Sequence, residues 1–367
     1  MDDRDSRRSL KDVVFAPFPL PDRADTFSRP LHPRDQVVLA RRRAFGTRQT
    51  LAATQAWSGI SDLVARGTPL TAREWIEVYE WLTRWRYEEA RAHTARNLGT
   101  GTSWDPLLTI TPITGGLPNH DILGDAGWLR AGAQWSEAEQ RWNGGTETPA
   151  SRITQAARAW ALPRFTDPGT DTLQNMVTLP GGAQVKGNLL VRGAAMAQRG
   201  RERVARRGGD TPKFHADLSN LIAVTGADAD REIVFKAAMA HLASQEPGTG
   251  EPRAVTAWAE CTYFLYQGPQ MKRGSDAVIR IFAALAGAYL FGRAPVIDHD
   301  IDLKAYATGQ DWFVEHIRRR QDQAPGKRPA AVRTGRAAAA VAESGVSAAG
   351  DRRPDRRAGA TIVRAQR

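Results

Sequence analysis

Apolar residues recur at helical spacing through most of the chain. In the clearest case they occupy positions i, i+3, i+7 and i+10 of one face: Trp75, Val78, Leu82 and Trp85. Thr71 and Glu74 precede this stripe with the spacing of an N-terminal capping box. The pattern therefore predicts a helix over 72–97 that buries its tryptophans in the core.

Similar periodicity predicts further helices elsewhere in the chain. They cover 35–66, 151–162, 231–244, 253–266, 275–292 and about 304–319. A tryptophan also recurs at every seventh residue after Asp125, which predicts a helix with Trp128, Trp135 and Trp142 on one face. Such a face fits a helix-packing seam, although indole rings also stack on bases and sugars.

Extended structure is predicted in two places. Apolar runs on both sides of Pro180-Gly181-Gly182 predict a β-hairpin over 176–191, because that turn contains residues suited to positive φ. The stretch 98–124 is dense in Gly, Pro and Thr, and it predicts a long irregular insertion with one short strand at Leu107–Thr111.

The two ends of the chain differ from its middle. Residues 1–34 are interrupted by proline too often for regular structure and predict an irregular N-terminal arm. Residues 318–367 carry +9 of the formal net charge of +11 and few large apolar residues, so they predict a disordered basic tail. We expect a mainly α protein with a helical, bundle-like single domain over 35–317 and one β-hairpin.

The composition of the chain bears on where in the cell the protein is expected. No apolar run approaches the roughly 20 residues of a membrane span, and the N-terminus lacks the apolar segment of a signal peptide. The single cysteine, Cys261, lies in an apolar stretch and is expected in the core. We therefore predict a cytoplasmic bacterial protein without membrane contact, whose basic tail binds nucleic acid weakly and without sequence preference.

The best site candidate is the basic loop that leads into the apolar helix 275–292. Lys272 and Arg273 precede Gly274, Ser275 stands at the predicted N-cap, and Arg280 follows one turn later. Unpaired N–H groups and the dipole at a helix start attract anions, so these five residues predict a triphosphate site. Alternatively Gly274 is an ordinary turn residue, Ser275 an ordinary cap, and the cations are solvated.

Two weaker groups of residues lie just after this helix. Asp298, His299, Asp300 and Asp302 could hold a divalent cation, although Asp300 or Asp302 as the N-cap of the next helix explains them equally simply, and no metal site is predicted. Arg293 and His299 keep the R-x5-H spacing of HEPN-type ribonucleases, but Pro295 keeps their segment out of a helix. The usual phosphate-loop, dinucleotide-binding, hydrolase and zinc motifs do not occur.

Over about residues 176–292 the chain resembles the Fic/Doc family of nucleotidyl and phosphoryl transferases. Members of that family have a hairpin flap, helices, the loop H-P-F-x-x-G-N-G-R-x-x-R, and then a long apolar helix. Gly274 and Arg280 keep the spacing between the first glycine and the last arginine of that loop. Ser275 stands at the asparagine, and Asp276 and Ala277 replace the second glycine and the first arginine.

The loop lacks the family's histidine, which is the general base for the target hydroxyl, and the nearest histidines in sequence are His215 and His241. The resemblance implies binding of ATP or another nucleoside triphosphate with Mg²⁺, and a hairpin that presents a protein target by strand addition. The expected function is that of a Fic-like toxin or effector with unknown catalytic residues. The alternatives are a nucleic-acid-binding or HEPN-like ribonuclease protein and a non-catalytic helical scaffold.

Overall fold

The computed structural model describes most of the chain between residues 33 and 323. The described residues are 13, 15, 33–65, 69–94, 113, 119–124, 127–139, 141–206, 221–248, 252–271 and 274–323. All of them belong to one compact unit formed by residues 1–325. The whole strand predicted at Leu107–Thr111, nearly all of the N-terminal arm, and the tail beyond residue 323 lie outside the described residues.

Helices dominate the described residues, which confirms the mainly α prediction. The helices are α1 (Pro33–Ala65), α2 (Ala72–Thr94), α3 (Pro149–Ala161), α4 (Gly193–Arg206), α5 (Asp228–Ala243), α6 (Pro252–Gln267), α7 (Ser275–Phe291), α8 (Ile301–Ala307) and α9 (Gln310–Asp322). The strands are β1 (His120–Leu123), β2 (Gln134–Ser136), β3 (Arg141–Asn143), β4 (Thr172–Thr178), β5 (Gln184–Arg192) and β6 (Leu221–Val224). None of the described helices is both long and apolar enough to cross a membrane.

Helix α7 lies at the centre of the core, and every residue from 278 to 290 on it is buried. Trp75 of α2 is fully buried against it, with its ring edge-to-face on Phe282 and Tyr289 at centroid distances of 5.5 and 5.1 Å. The capping box predicted for α2 is present, since the Glu74 carboxylate accepts from the Thr71 backbone N–H at 2.7 Å. These contacts confirm that the tryptophan stripe of α2 contributes to the core.

The predicted hairpin is confirmed, but it is part of a larger sheet. Strands β4 and β5 form two neighbours of an antiparallel sheet with the order β1-β6-β5-β4. The prediction of a single hairpin was therefore wrong. Strand β6 is a four-residue apolar run and β1 lies within the predicted irregular insertion, and short segments of this kind carry too little periodicity to be assigned from sequence.

The tryptophan helix predicted after Asp125 was also wrong. Trp135 and Trp142 lie opposite each other on β2 and β3, with their rings edge-to-face at 5.8 Å. Gly132 and Gly145 adopt positive φ around this second hairpin, which a helix does not allow. A seven-residue spacing matches two helical turns, but it equally places two residues on facing strands of a tight hairpin.

Three further differences concern the C-terminal half. The predicted helix at about 304–319 is two helices, α8 and α9, separated at Thr308 and Gly309. Helix α9 continues to Asp322, beyond the domain boundary predicted at residue 317. Helix α4 occupies a basic stretch for which no helix was predicted.

Candidate functional site

The turn between α6 and α7 is fixed by its neighbours. Arg231 of α5 donates to the carbonyl oxygen of Pro269 at 2.8 Å, and the Asn119 side chain donates to that of Met271 at 3.0 Å. The Ser275 hydroxyl donates to the same Met271 carbonyl at 2.8 Å. Helices α6 and α7 pack as a pair, so this turn presents the start of the central helix in a defined orientation.

The residue that precedes α7 is Gly274, not Ser275 as predicted. Gly274 has φ 84° and ψ −5°, the left-handed conformation that glycine adopts without strain. Ser275 is the first helical residue, and its buried hydroxyl serves the turn. Gly274 has no side chain with which to cap this helix, so the first-turn N–H groups receive no hydrogen bond from the N-cap residue, as at helix starts that bind anions.

Arg86 of α2 lies beside this helix start. A Cβ atom added to Gly274 would be 3.1 Å from Arg86 Nε. Nε is buried and has no hydrogen-bond partner among the described residues, and the guanidinium faces the Phe45 ring at 5.2 Å. Burial lowers the pKa of Arg86, with the nearby Glu89 charge opposing that effect. No sequence pattern singled out Arg86, because it is 188 positions from Gly274.

The other predicted site residues have different outcomes. Lys272 and Arg273 lie outside the described residues. Arg280 is buried, and its guanidinium is used internally: Nε donates to both Asp276 carboxylate oxygens at 2.8 and 2.9 Å. Its other nitrogens donate to the carbonyl oxygens of Asp298 and His299 and to the Asp302 carboxylate.

Arg280 therefore organises a cluster of acids and tyrosines beside the first turn of α7. Burial alone would lower the pKa of Arg280, but the charges of Asp276, Tyr266 and Asp302 outweigh it and keep the group fully protonated. The Tyr266 hydroxyl donates to Asp276 at 2.9 Å. Two carboxylates share one guanidinium, an arrangement that favours one bound proton.

Within this cluster, Asp302 has a pKa that is shifted towards neutral pH. Burial, followed by the negative charge of Asp276, raises the pKa of Asp302 to about 7, while Arg280 opposes the rise. Its side chain is 26% exposed. Tyr306 lies one turn further along α8, and burial together with Asp121 and Asp302 raises its pKa well above the usual value. Asp302 and Tyr306 are four residues apart on α8, and no sequence motif predicted a site at this pair.

The acidic segment around Asp298 is a network of ion pairs. Burial alone would raise the pKa of Asp298, but hydrogen bonds from Lys304, His316 and Arg320 hold it well below the usual range. Asp300 precedes α8 but its side chain caps no N–H, and it pairs with Lys304 at 2.8 Å. Within the described ranges, no three His, Cys, Asp or Glu side chains are arranged to hold a metal ion.

The HEPN-like pair is held within the fold. The segment from residue 294 to 298 is not helical, as Pro295 predicted. The Pro295 ring packs against α7 at Gly287, where an added Cβ would be only 2.5 Å from Cγ. Arg293 donates to the Gln321 carbonyl oxygen at 3.4 Å and faces the Phe291 ring. Of the nearest histidines, His241 contacts Glu260 at 2.8 Å, and His215 lies outside the described residues.

Buried amides attach the β4–β5 hairpin to the helices. Asn188 donates to the Tyr266 carbonyl, Gln267 accepts from the Asn188 backbone N–H, and Asn175 donates to the Tyr306 carbonyl, each at 2.9 Å. Strand β4 is an edge of the sheet, but the Gln310 side chain bonds both the N–H and the carbonyl of Thr178. An added strand would therefore have to pair elsewhere along β4.

Comparison with known proteins leaves the geometry as the main evidence. No family model matches the chain, and no curated protein matches its sequence.

Proposed function

We propose that this protein binds a nucleoside triphosphate, such as ATP with Mg²⁺, at the start of α7 and transfers a nucleotidyl or phosphoryl group to a protein. The observation that carries the proposal is the Arg86 guanidinium, whose buried Nε meets no hydrogen-bond partner in the part of the chain that the structure describes and lies beside an uncapped helix start. A bound phosphate would supply the anion that such a cation and such N–H groups lack. The proposal agrees with the activity that the Fic/Doc resemblance implies.

The residues of the proposed site differ from those expected from sequence. Arg86 joins Gly274, Lys272 and Arg273, and the cations would neutralise the charged phosphates. Arg280 is assigned a supporting role, because its donors are engaged by carboxylates and backbone carbonyls. Ser275 likewise supports the turn through its hydroxyl.

Magnesium enters this proposal only as the partner of the nucleotide. The described residues contain no ready set of three metal-binding side chains, so the ion would arrive bound to the phosphate oxygens. Its chemistry would be to neutralise charge on the transferred phosphate. The part of the target protein that docks, and a role as a toxin or effector, stay predictions.

The test is a thermal shift with nucleoside triphosphates in the presence of Mg²⁺. A ligand that binds only the native state stabilises it by about 2.7 kcal/mol at a hundred times its dissociation constant, so the melting temperature should rise with nucleotide concentration. Arg86→Ala should remove most of the rise. Arg84→Ala is the matched control, since Arg84 lies on the same helix with 65% of its side chain exposed.

Three results would count against the proposal. One is no shift with any nucleoside triphosphate up to millimolar concentration. Another is an equal shift in the wild type and in the Arg86→Ala protein. The third is an equal shift with inorganic phosphate at the same concentration, which would indicate an anion site that does not distinguish nucleotides.

A further inference from the structure

An acidic recess lies beside the first turn of α7. Among the described residues it combines Asp121 of β1, Asp276 of α7 and Asp302 of α8 with the cation Arg280. Arg280 joins two of the acids directly, at 2.8 Å to Asp276 and 3.1 Å to Asp302. These four residues together carry more negative than positive charge, which suits a group that gives up a proton better than it suits a phosphate.

Tyr306 provides a second, independent observation. Only 8% of this residue is exposed, yet no described residue exchanges a hydrogen bond with its hydroxyl. The Tyr306 ring lies edge-to-face on the Tyr266 ring at a centroid distance of 6.1 Å, and the Tyr266 hydroxyl reaches Asp276. Asp302 lies one turn before Tyr306 on α8, so Tyr306 borders the recess. Its neighbour Tyr266 differs, because the Tyr266 hydroxyl already donates to Asp276. Tyr306 is therefore a nine-tenths buried side chain whose hydroxyl bonds no described residue and is not itself fully enclosed, so a ligand atom could reach it.

The recess is open to solvent at its acids. The Asp276 and Asp302 side chains are 39% and 26% exposed, and Asp121 is exposed. Asp276 is held at both carboxylate oxygens by Arg280, so it is poorly placed to take a proton. Asp302 has one contact with the guanidinium, at Oδ1, and that leaves it the acid best able to react.

We propose that Asp302 and Tyr306 form the acceptor site of the proposed transferase, where Asp302 removes the proton of a target hydroxyl that Tyr306 holds by a hydrogen bond. The inference rests on the proposed function and names the residues that would replace the missing loop histidine. Asp302 would be the catalytic base. Tyr306 would contact the oxygen that attacks.

The reaction balances with the nucleotide as its only co-reactant. The acceptor oxygen forms a bond to phosphorus as its proton passes to Asp302. The bond from phosphorus to the leaving oxygen breaks, and its electron pair leaves with pyrophosphate or with nucleoside diphosphate, according to whether the α- or the γ-phosphorus is attacked. Asp302 then returns the proton to solvent.

The charged surroundings of Asp302 suit this role. The groups that face it are Asp276 and Arg280 from α7, Asp121 from β1, Tyr266 from α6, and Tyr306 from its own helix. Burial and the nearby carboxylate raise the pKa of Asp302 to about 7. A general base works best when its pKa is near the working pH.

The test measures transfer of radioactivity to protein from ATP labelled at the α- or the γ-phosphate, with bacterial lysate as the source of acceptor hydroxyls. Asp302→Asn should lower the transfer rate by about 100-fold or more, which is the usual contribution of a general base. It should leave the nucleotide-induced thermal shift intact, because Asp302 is not assigned to the phosphate site. Tyr306→Phe should raise the acceptor concentration needed for half-maximal rate.

A pH profile and a control complete the design. The wild-type rate should rise with pH as Asp302 ionises, and Asp302→Glu should keep a similar rise with partial activity, which covers the case in which Asp302→Asn fails to fold. Asp311→Asn, an exposed acid at the start of α9, should transfer at the wild-type rate. Wild-type transfer in the Asp302→Asn protein would overturn the assignment.

The remaining outcome separates the two proposals. A wild-type protein that shows the nucleotide shift but transfers no label would overturn the acceptor site and leave nucleotide binding in place. A wild-type protein without the shift would overturn both.

Discussion

At the residue scale, Arg280 shows how one side chain can satisfy a sequence pattern and serve another purpose. The spacing from Gly274 predicted a phosphate ligand, but the guanidinium is buried among Asp276, Asp302 and two backbone carbonyls. Sequence spacing can place a cation one turn into a helix but cannot say which partners approach it from other elements. The residues that could not be predicted, Arg86 and Asp121, lie far along the chain from Gly274.

Asp302 leads to a prediction about stability and pH. Its pKa is about 7 in the folded protein and about 4 in an unfolded chain, so the folded state keeps a proton that the unfolded state releases. The resulting stabilisation is complete below about pH 4 and is lost as the pH rises towards 7, by about 1.4 kcal/mol for each pH unit. Asp302→Asn cannot ionise and should not show this loss.

Urea denaturation at about pH 5, 6, 7 and 8 checks the expectation. As the pH rises to about 7, the free energy of unfolding of Asp302→Asn should increase relative to that of the wild type. Above pH 7 the difference between the two should stay constant. Asp311→Asn is again the matched control, and its curve should follow the wild type. Parallel wild-type and Asp302→Asn curves across the whole range would show that Asp302 ionises normally in the folded protein.

At the element scale, sequence reasoning was most successful where the deciding interactions are local. The bounds of α2, α3, α6 and α7 were predicted to within a few residues, because caps and apolar periodicity act within a few residues. It was least successful for the tryptophan segment. There, a Cβ on Gly127 would be 2.3 Å from Trp142 Cβ, a close approach between distant residues that no periodicity reports.

Helix α2 provides a prediction about the core. Trp75 is fully buried, so Trp75→Ala should cost about 3–5 kcal/mol of unfolding free energy. Trp85→Ala is the comparison on the same helix, since Trp85 is only partly buried and stacks on Phe45 at 6.2 Å. We expect it to cost less, as measured by chemical denaturation. Equal losses in the two variants would mean that the degree of burial does not determine how much each tryptophan of α2 contributes to the free energy of unfolding.

At the scale of the whole molecule, the two proposed sites draw residues from different elements around one helix start. The phosphate site uses Arg86 from α2, whereas the acceptor site uses α8 and β1. Asp276, on the first turn of α7, is held by Arg280 and Tyr266, so the acids of the second site are anchored to the same helix start that Arg86 approaches.

The last prediction concerns the C-terminal residues. Residues 1–325 form a compact unit of their own, so deleting residues 326–367 should leave the melting temperature unchanged. The deletion removes ten Lys or Arg and three acids. Because polyanion binding follows the number of phosphate contacts, retention on DNA at low salt should fall sharply.

A full-length variant with Arg352, Arg353, Arg356 and Arg357 changed to Gln separates charge from chain length. It should lose part of the retention and show a shallower dependence on salt, since each lost phosphate contact lowers the slope by about one. Retention that survives the deletion would place nucleic-acid contacts within residues 1–325. A melting temperature several degrees lower would show that residues 326–367 stabilise the rest of the chain, and the tail would then have to be treated as part of the fold.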